Sequence, residues 1–123
     1  MYWQKSSKYQ KAARENLGNG HDDPAAANAV NAVINAVDAV CVHYLGLRAA
    51  GGAHHEALAI LATTGLPQDT RAALERHLSR LLGMKNLAQY EGRLVTVAEA
   101  RAAVGHMDRA VGALAAWASA NGF

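Results

Sequence analysis

Four polar side chains recur along the most apolar stretch of the sequence, residues 25–47. They follow one another at steps of three, four and three residues, and they are Asn28, Asn31, Asn35 and Asp38. Such steps place side chains on one face of an α-helix. A buried amide or carboxylate without a partner costs about 1–3 kcal/mol. This amide stripe therefore either lies in a polar seam with hydrogen-bond partners or faces water, and the spacing alone leaves both alternatives open.

A second polar group stands where a leucine-rich helix face would continue. Lys85 with Gln89, and Asn86 with Tyr90, are each four residues apart, so each pair stacks on one helix face. A lysine, two amides and a phenol are suited to binding a phosphate or the edge of a ribose. The alternative is that Lys85 lays its aliphatic stem over the core while Tyr90 packs with its hydroxyl in water. We predict no catalytic residue, and Lys85, Asn86 and Tyr90 are the candidates if the chain is an enzyme.

The histidines and the single cysteine do not form a recognisable catalytic or metal motif. His54, His55 and Glu56 are adjacent and therefore point apart on a helix, and no two of the six histidines are three or four residues apart. Cys41 lies within the apolar stretch and is predicted to be a buried structural thiol. We expect no metal and no cofactor.

Composition places the chain among small helical domains. Its 123 residues suit one domain, and 28 of them are alanine, which forms helices well but buries little surface per side chain. The net charge is only +2, so nucleic-acid binding would have to be local. Residues 1–20 carry four basic residues against one acid, and we interpret them as a basic N-terminal helix or arm. A lone cysteine, no leader pattern and polar breaks in the apolar stretch predict a cytoplasmic protein with no membrane span.

The sequence predicts about five helices and no sheet. The first covers residues 2–17. Asp22-Asp23-Pro24 supplies an aspartate cap and a first-turn proline for the second, which runs to about Tyr44 or Leu45, and the third covers 54–62. The fourth opens at Pro67, and the fifth follows a capping box of Thr96 and Glu99.

In two of the predicted helices, apolar residues recur at steps of three and four and so form one face that is expected to point into the core. In the fourth predicted helix it consists of Leu74, Leu78, Leu81, Leu82 and Ala88. In the fifth it consists of Ala100, Val104, Met107, Val111, Leu114 and Ala118.

Segments from Asn31 to Ala118 resemble the HEPN superfamily of small helical bundles, in particular its short bacterial members. The resemblance lies in four short segments, which are 36–41 with Leu45-Gly46, 52–57, 81–90 and 95–100. It implies an up-and-down bundle of about five helices and a homodimer that brings two polar sites together. It also implies an association with RNA, a nucleotide or a nucleotidyltransferase partner. Many members of the superfamily are metal-independent ribonucleases, often toxins of toxin–antitoxin pairs.

The ribonuclease motif of that superfamily is an arginine with a histidine four to six residues further on. The matching positions here hold Lys85, Asn86 and Tyr90, with Asn35 or Asp38 as the partner on the second helix. A tyrosine, with a pKa near 10, is a poor substitute for an imidazole in proton transfer, and lysine lacks the bidentate grip of arginine. The sequence therefore predicts a dimeric module that binds RNA, a nucleotide or a partner protein through a polar pocket between the second and fourth predicted helices. A ribonuclease with a variant site and a structural partner of a nucleotidyltransferase are the alternatives.

Overall fold

The computed structural model describes residues 1–46, 58, 65–90 and 94–122, with the side chains of Leu45 and residues 86–90 excepted. This part of the chain contains four helices: α1 (Tyr2–Gly18), α2 (Asp22–Leu45), α3 (Gln68–Tyr90) and α4 (Val97–Ala120). Within it there is no β-strand, so the predicted all-α class is confirmed. Apart from Leu58, the predicted helix over 54–62 lies outside the described residues, and the count of five helices stays a prediction.

The helix ends follow the glycine and capping signals of the sequence. Gly46 ends α2 in the left-handed conformation, with φ 67°, and its amide donates to the carbonyl of Val42. At the start of α4, Thr96 accepts a hydrogen bond from the amide of Glu99, whose carboxylate accepts one from the amide of Thr96. The predicted capping box is therefore confirmed.

The start of α2 differs from the prediction that an aspartate caps it. Its N-cap is His21, which makes no side-chain capping bond. The Oδ1 atom of Asp23 instead accepts a hydrogen bond of 2.7 Å from the amide of Val95, just before α4. Asp22 and Asp23 still lie in the first turn, where negative charge favours a helix N-terminus. Asp23 thus also ties the start of α2 to the residues just before α4.

Helix α2 packs against each of the other three helices. Its interior surface consists mainly of small side chains that are at most 7% exposed: Ala25, Ala26, Ala29, Val30, Ala32, Val33, Ala36, Val37, Ala39, Val40 and Cys41. By length and composition this helix could also cross a membrane, because its most apolar stretch has a mean hydropathy of 1.5. However, 67% of that stretch is buried inside the bundle, as in a helix of a protein core.

The core-facing stripes of the last two helices agree well with the sequence. All six predicted residues of α4 are buried. On α3, Leu74, Leu78 and Leu81 are buried and Leu82 is half-buried, while the side chain of Ala88 lies outside the described set. Leu58, from the stretch before α3, also contributes a fully buried side chain.

Helix α1 is docked onto the bundle. The hydroxyl of Ser6 is fully buried and donates a hydrogen bond of 2.7 Å to the backbone carbonyl of Ala32 on α2. Near the other end of α1, Arg14 forms a salt bridge of 2.6 Å with Asp108 on α4. The basic N-terminal segment, predicted as a helix or an arm, is thus a packed helix.

Candidate functional site

An open groove of about 500 Å³ runs between α1 and α2. Its α1 wall is formed by Lys5, Lys8, Tyr9 and Ala12. These positions are related by steps of three, four and seven residues, so they form one continuous helix face. The docking of α1 therefore turns one face of a basic helix into one wall of this groove.

The α2 wall of this groove, called the α1/α2 groove below, carries two members of the amide stripe, Asn28 and Asn35. The amide of Asn28 donates to the side-chain oxygen of Asn16 on α1 at 2.8 Å, and that of Asn35 donates to the carbonyl of Asn31, also at 2.8 Å. Each amide keeps its own carbonyl oxygen as an acceptor. Amides that are held in place in this way can offer hydrogen bonds to a ligand without losing much side-chain freedom.

The amide stripe as a whole changes environment along α2. Asn28, Asn31 and Asn35 are half-buried, whereas Asp38 is 1% exposed. Of the two alternatives left open by the sequence, the structure favours a polar seam, because the described partners of the stripe lie on α1 and on α2 itself. The sequence could not identify α1 as the opposing helix, since the spacing of one stripe carries no information about its neighbour.

The charge of the groove comes from two lysines. Among the cations of α1, Lys11 pairs with Glu15 at 3.9 Å and Arg14 pairs with Asp108. Within the described part of the chain, neither Lys5 nor Lys8 has a carboxylate partner, and Lys5 lies 5.6 Å from the ring centre of Tyr2. The positive charge at the groove is thus not neutralised by the described acids.

The second predicted polar group lies on α3. Lys85 is exposed, and Asn86, Gln89 and Tyr90 belong to the last turns of that helix, although their side chains lie outside the described set. The structure brings Asn28 and Asn35 together with residues of α1. We call Lys85, Asn86, Gln89 and Tyr90 the Lys85 group below. Contact between the amide stripe and the Lys85 group stays a prediction.

Two histidines far apart in sequence meet across α3 and α4. The Nδ1 atoms of His77 and His106 are 2.8 Å apart, and their ring centres are 5.1 Å apart. Sequence reasoning did not pair them, because 29 residues separate them and spacing within one helix cannot reveal a contact between two. The available signal was that each precedes a core residue, Leu78 or Met107, at a position where two packed helices can meet.

The surroundings of this pair disfavour a positive charge on either ring. Burial lowers the pKa of His77 below its ordinary value, and three cations lower it further: Arg76, Arg109 and Arg80. Burial also lowers the pKa of His106, and its other causes are His77, Arg80 and Arg109. Both rings are therefore held neutral to a lower pH than a histidine in an unfolded chain.

Cys41 is buried, as predicted. Burial, together with the negative charge of Asp38, raises the pKa of its thiol to about 11. A thiol of this kind is protonated at neutral pH and is a poor nucleophile. Among the described residues, no group of three histidine, cysteine or acidic side chains has the arrangement of a metal site.

Comparisons with protein-family models, with curated proteins and with solved structures find no match to this chain. The resemblance to the HEPN superfamily therefore depends on the short segments quoted above.

The histidine pair predicts a specific pH dependence of stability. His77 and His106 titrate near pH 6.5 in the unfolded chain and at lower pH in the native protein, so below about pH 6.5 these two residues bind more protons in the unfolded state. The free energy of unfolding should consequently fall as the pH is lowered through this range. Urea denaturation followed by circular dichroism measures it.

The matched comparison is His106→Gln against His21→Gln, because His21 is exposed and makes no side-chain capping bond. Loss of stability between about pH 7.5 and pH 5.5 should be smaller in His106→Gln than in the wild type and unchanged in His21→Gln. Equal losses in all three proteins would contradict the assignment.

Proposed function

We propose that this chain is a HEPN-like helical module that binds single-stranded RNA in the α1/α2 groove and does not cleave it. The observation that carries the proposal is the pairing of two lysines and a phenol on one wall with two ordered amides on the other. Positive grooves with an aromatic side chain are the usual platform for single-stranded nucleic acids. The proposal moves the binding pocket from the second and fourth predicted helices to α1 and α2.

Each type of side chain has a distinct part in this proposal. Lys5 and Lys8 are exposed and one helical turn apart, so their ammonium groups suit successive phosphates of a flexible strand. The ring of Tyr9 is half-buried and offers a stacking surface for a base. Asn28 and Asn35 supply amide groups that recognise base edges.

RNA is favoured over a simple anion by the shape and mixed chemistry of the groove. The groove is open rather than enclosed, which suits a strand that continues past both ends. An inorganic anion would use the lysines but would leave the phenol and the amides without a role. The cytoplasmic location predicted from the single cysteine is compatible with an RNA ligand, and it is part of the same proposal.

Binding without cleavage follows from the side chains at the groove. Among the described residues that line it there is no histidine or carboxylate to act as a general base. The alternative is a ribonuclease with a variant site at Lys85, Asn86 and Tyr90. Intact RNA after incubation with the wild-type protein is the result expected from the proposal.

RNA binding is tested by fluorescence anisotropy with a labelled single-stranded RNA at several salt concentrations. Each lysine that contacts a phosphate of a single strand steepens the plot of log affinity against log salt by about 0.7. Lys5→Ala and Lys8→Ala should each weaken binding and make the slope shallower by about that amount. Lys11→Ala is the matched control, because it removes the same charge from the same helix outside the groove.

An equal loss of affinity in all three variants would show that only the overall charge matters, and it would contradict the groove as the binding site. Tyr9→Leu keeps an apolar side chain at its position but removes the stacking surface. It should lower the affinity for RNA more than the affinity for polyphosphate, which has no bases.

We also propose that two copies of this module associate. The described partners of the amide stripe lie within one chain, so the stripe does not support this proposal. Support comes from the alanine-rich core and from two exposed apolar side chains near the start of α4, Leu94 at 78% and Val97 at 49%.

Light scattering at micromolar concentration should give the mass of a dimer, and Leu94→Ser with Val97→Ser should shift it toward that of one chain. Exposed polar substitutions of this kind leave the core intact, so circular dichroism should be unchanged. A wild-type mass equal to that of one chain would contradict the proposed dimer.

A further inference from the structure

The histidine pair lies in a seam between α3 and α4 that the proposed RNA groove does not use, and the positive charge of this seam comes from arginines. The seam consists of His77 and Arg80 on α3, one helical turn apart, and His106 and Arg109 on α4, also one turn apart. Because His77 and His106 are in contact, the two arginines act on both rings. Arg76, next to His77, adds a third positive charge.

The described acids do not neutralise this seam. Glu75 and Asp108 are each two residues from a histidine on the same helix, and side chains two apart do not share a face. Asp108 is also bonded to Arg14 of α1 at 2.6 Å. Among the described residues, the groups that act on the two rings are the three arginines and the neighbouring ring.

The short contact between the rings determines which nitrogens remain available. In the neutral pair, one Nδ1–H donates to the other Nδ1, so one ring exposes an Nε2 acceptor and the other an Nε2–H donor. Adding one proton to the pair preserves the bond between the rings and gives both rings an Nε2–H donor. One proton thus converts a mixed pair into two donors and adds one positive charge.

We propose that His77 and His106, together with Arg80 and Arg109, bind a phosphate group and that the histidine pair takes up one proton when it does so. The two Nε2–H donors and the two guanidinium groups match the several acceptor oxygens of a phosphate. The positive charges of the arginines and the burial of the rings oppose protonation in the free protein. A bound dianion offsets the repulsion among these charges, so binding and protonation favour each other.

A metal ion is a poorer ligand for the same seam. Three arginines would repel a cation, and the bond between the rings occupies one nitrogen of each histidine. The short separation also prevents the rings from acting on opposite sides of one phosphorus, so the proposed site binds phosphate and does not transfer it. The ligand chemistry is that of inorganic phosphate or of the phosphate group of a nucleotide.

The test follows the histidine ring resonances of the full chain by NMR while inorganic phosphate is added. Two of the six histidines should shift with saturation and titrate at higher pH in the presence of phosphate, and the others should not. Arg80→Ala with Arg109→Ala should abolish both effects. Arg101→Ala is the matched control, because Arg101 is exposed on α4 and is not among the groups that act on either ring.

A parallel titration with sulfate separates protonation of the protein from protonation of the ligand. Sulfate remains a dianion across the pH range in which phosphate itself titrates. For one proton taken up, sulfate affinity should rise up to about tenfold per unit fall in pH. Titrations with adenosine monophosphate and with adenosine show whether the phosphate group belongs to a nucleotide or is free inorganic phosphate. Tighter binding of the monophosphate than of inorganic phosphate indicates a nucleotide, and equal binding indicates free phosphate.

Three results would overturn the proposal. They are uniform small shifts of all six histidines, sulfate affinity that does not depend on pH, and adenosine binding as tight as that of its monophosphate. Arg80 and Arg109 are exposed, so replacing them with alanine should leave the fold intact. The wild-type titration alone also shows whether phosphate binds at the histidine pair. Because the seam and the α1/α2 groove share no residue, loss of one activity leaves the other measurable.

Discussion

The fold depends on how closely the small side chains of α2 allow the other helices to approach. Ala25, Ala29, Ala32 and Ala36 are fully buried, and a helix surface of this kind lets neighbouring backbones come near. This proximity allows the hydroxyl of Ser6 on α1 to reach the backbone carbonyl of Ala32 at 2.7 Å. A large side chain on this face of α2 would separate the two helices and remove that bond. Alanine content thus has a direct structural consequence, although it contributes little hydrophobic area.

The docking of α1 also creates the chemistry of the proposed RNA site. If α1 were not docked, its lysines would have no fixed position relative to α2. The packed helix instead holds Lys5, Lys8 and Tyr9 opposite two amides of α2. The amides are in turn fixed by hydrogen bonds, since Asn28 bonds to Asn16 and Asn35 to the carbonyl of Asn31. The amides between α1 and α2 therefore help to hold α1 in place and also lie at the edge of an open groove.

Features confined to one helix could be predicted from the sequence, and features between helices could not. The buried stripe of α4 and the capping box of Thr96 follow from local spacing, and both are confirmed. The same reasoning misassigned the role of Asp23, which bonds to the amide of Val95, because that partner is distant in sequence. It also missed the contact of His77 with His106 for the same reason. The superfamily resemblance, the dimer and the Lys85 group remain predictions.

Amide hydrogen exchange of α1 tests most directly the claim that this helix is docked on α2. The structure predicts that the central amides of α1 exchange slowly in the native protein, as those of α2 do. Ser6→Ala should speed exchange in α1, whereas Ser7→Ala, at the exposed neighbouring position, should leave it unchanged. Fast exchange throughout α1 of the wild-type protein, alongside a protected α2, would contradict the account, since the groove would then lack its basic wall.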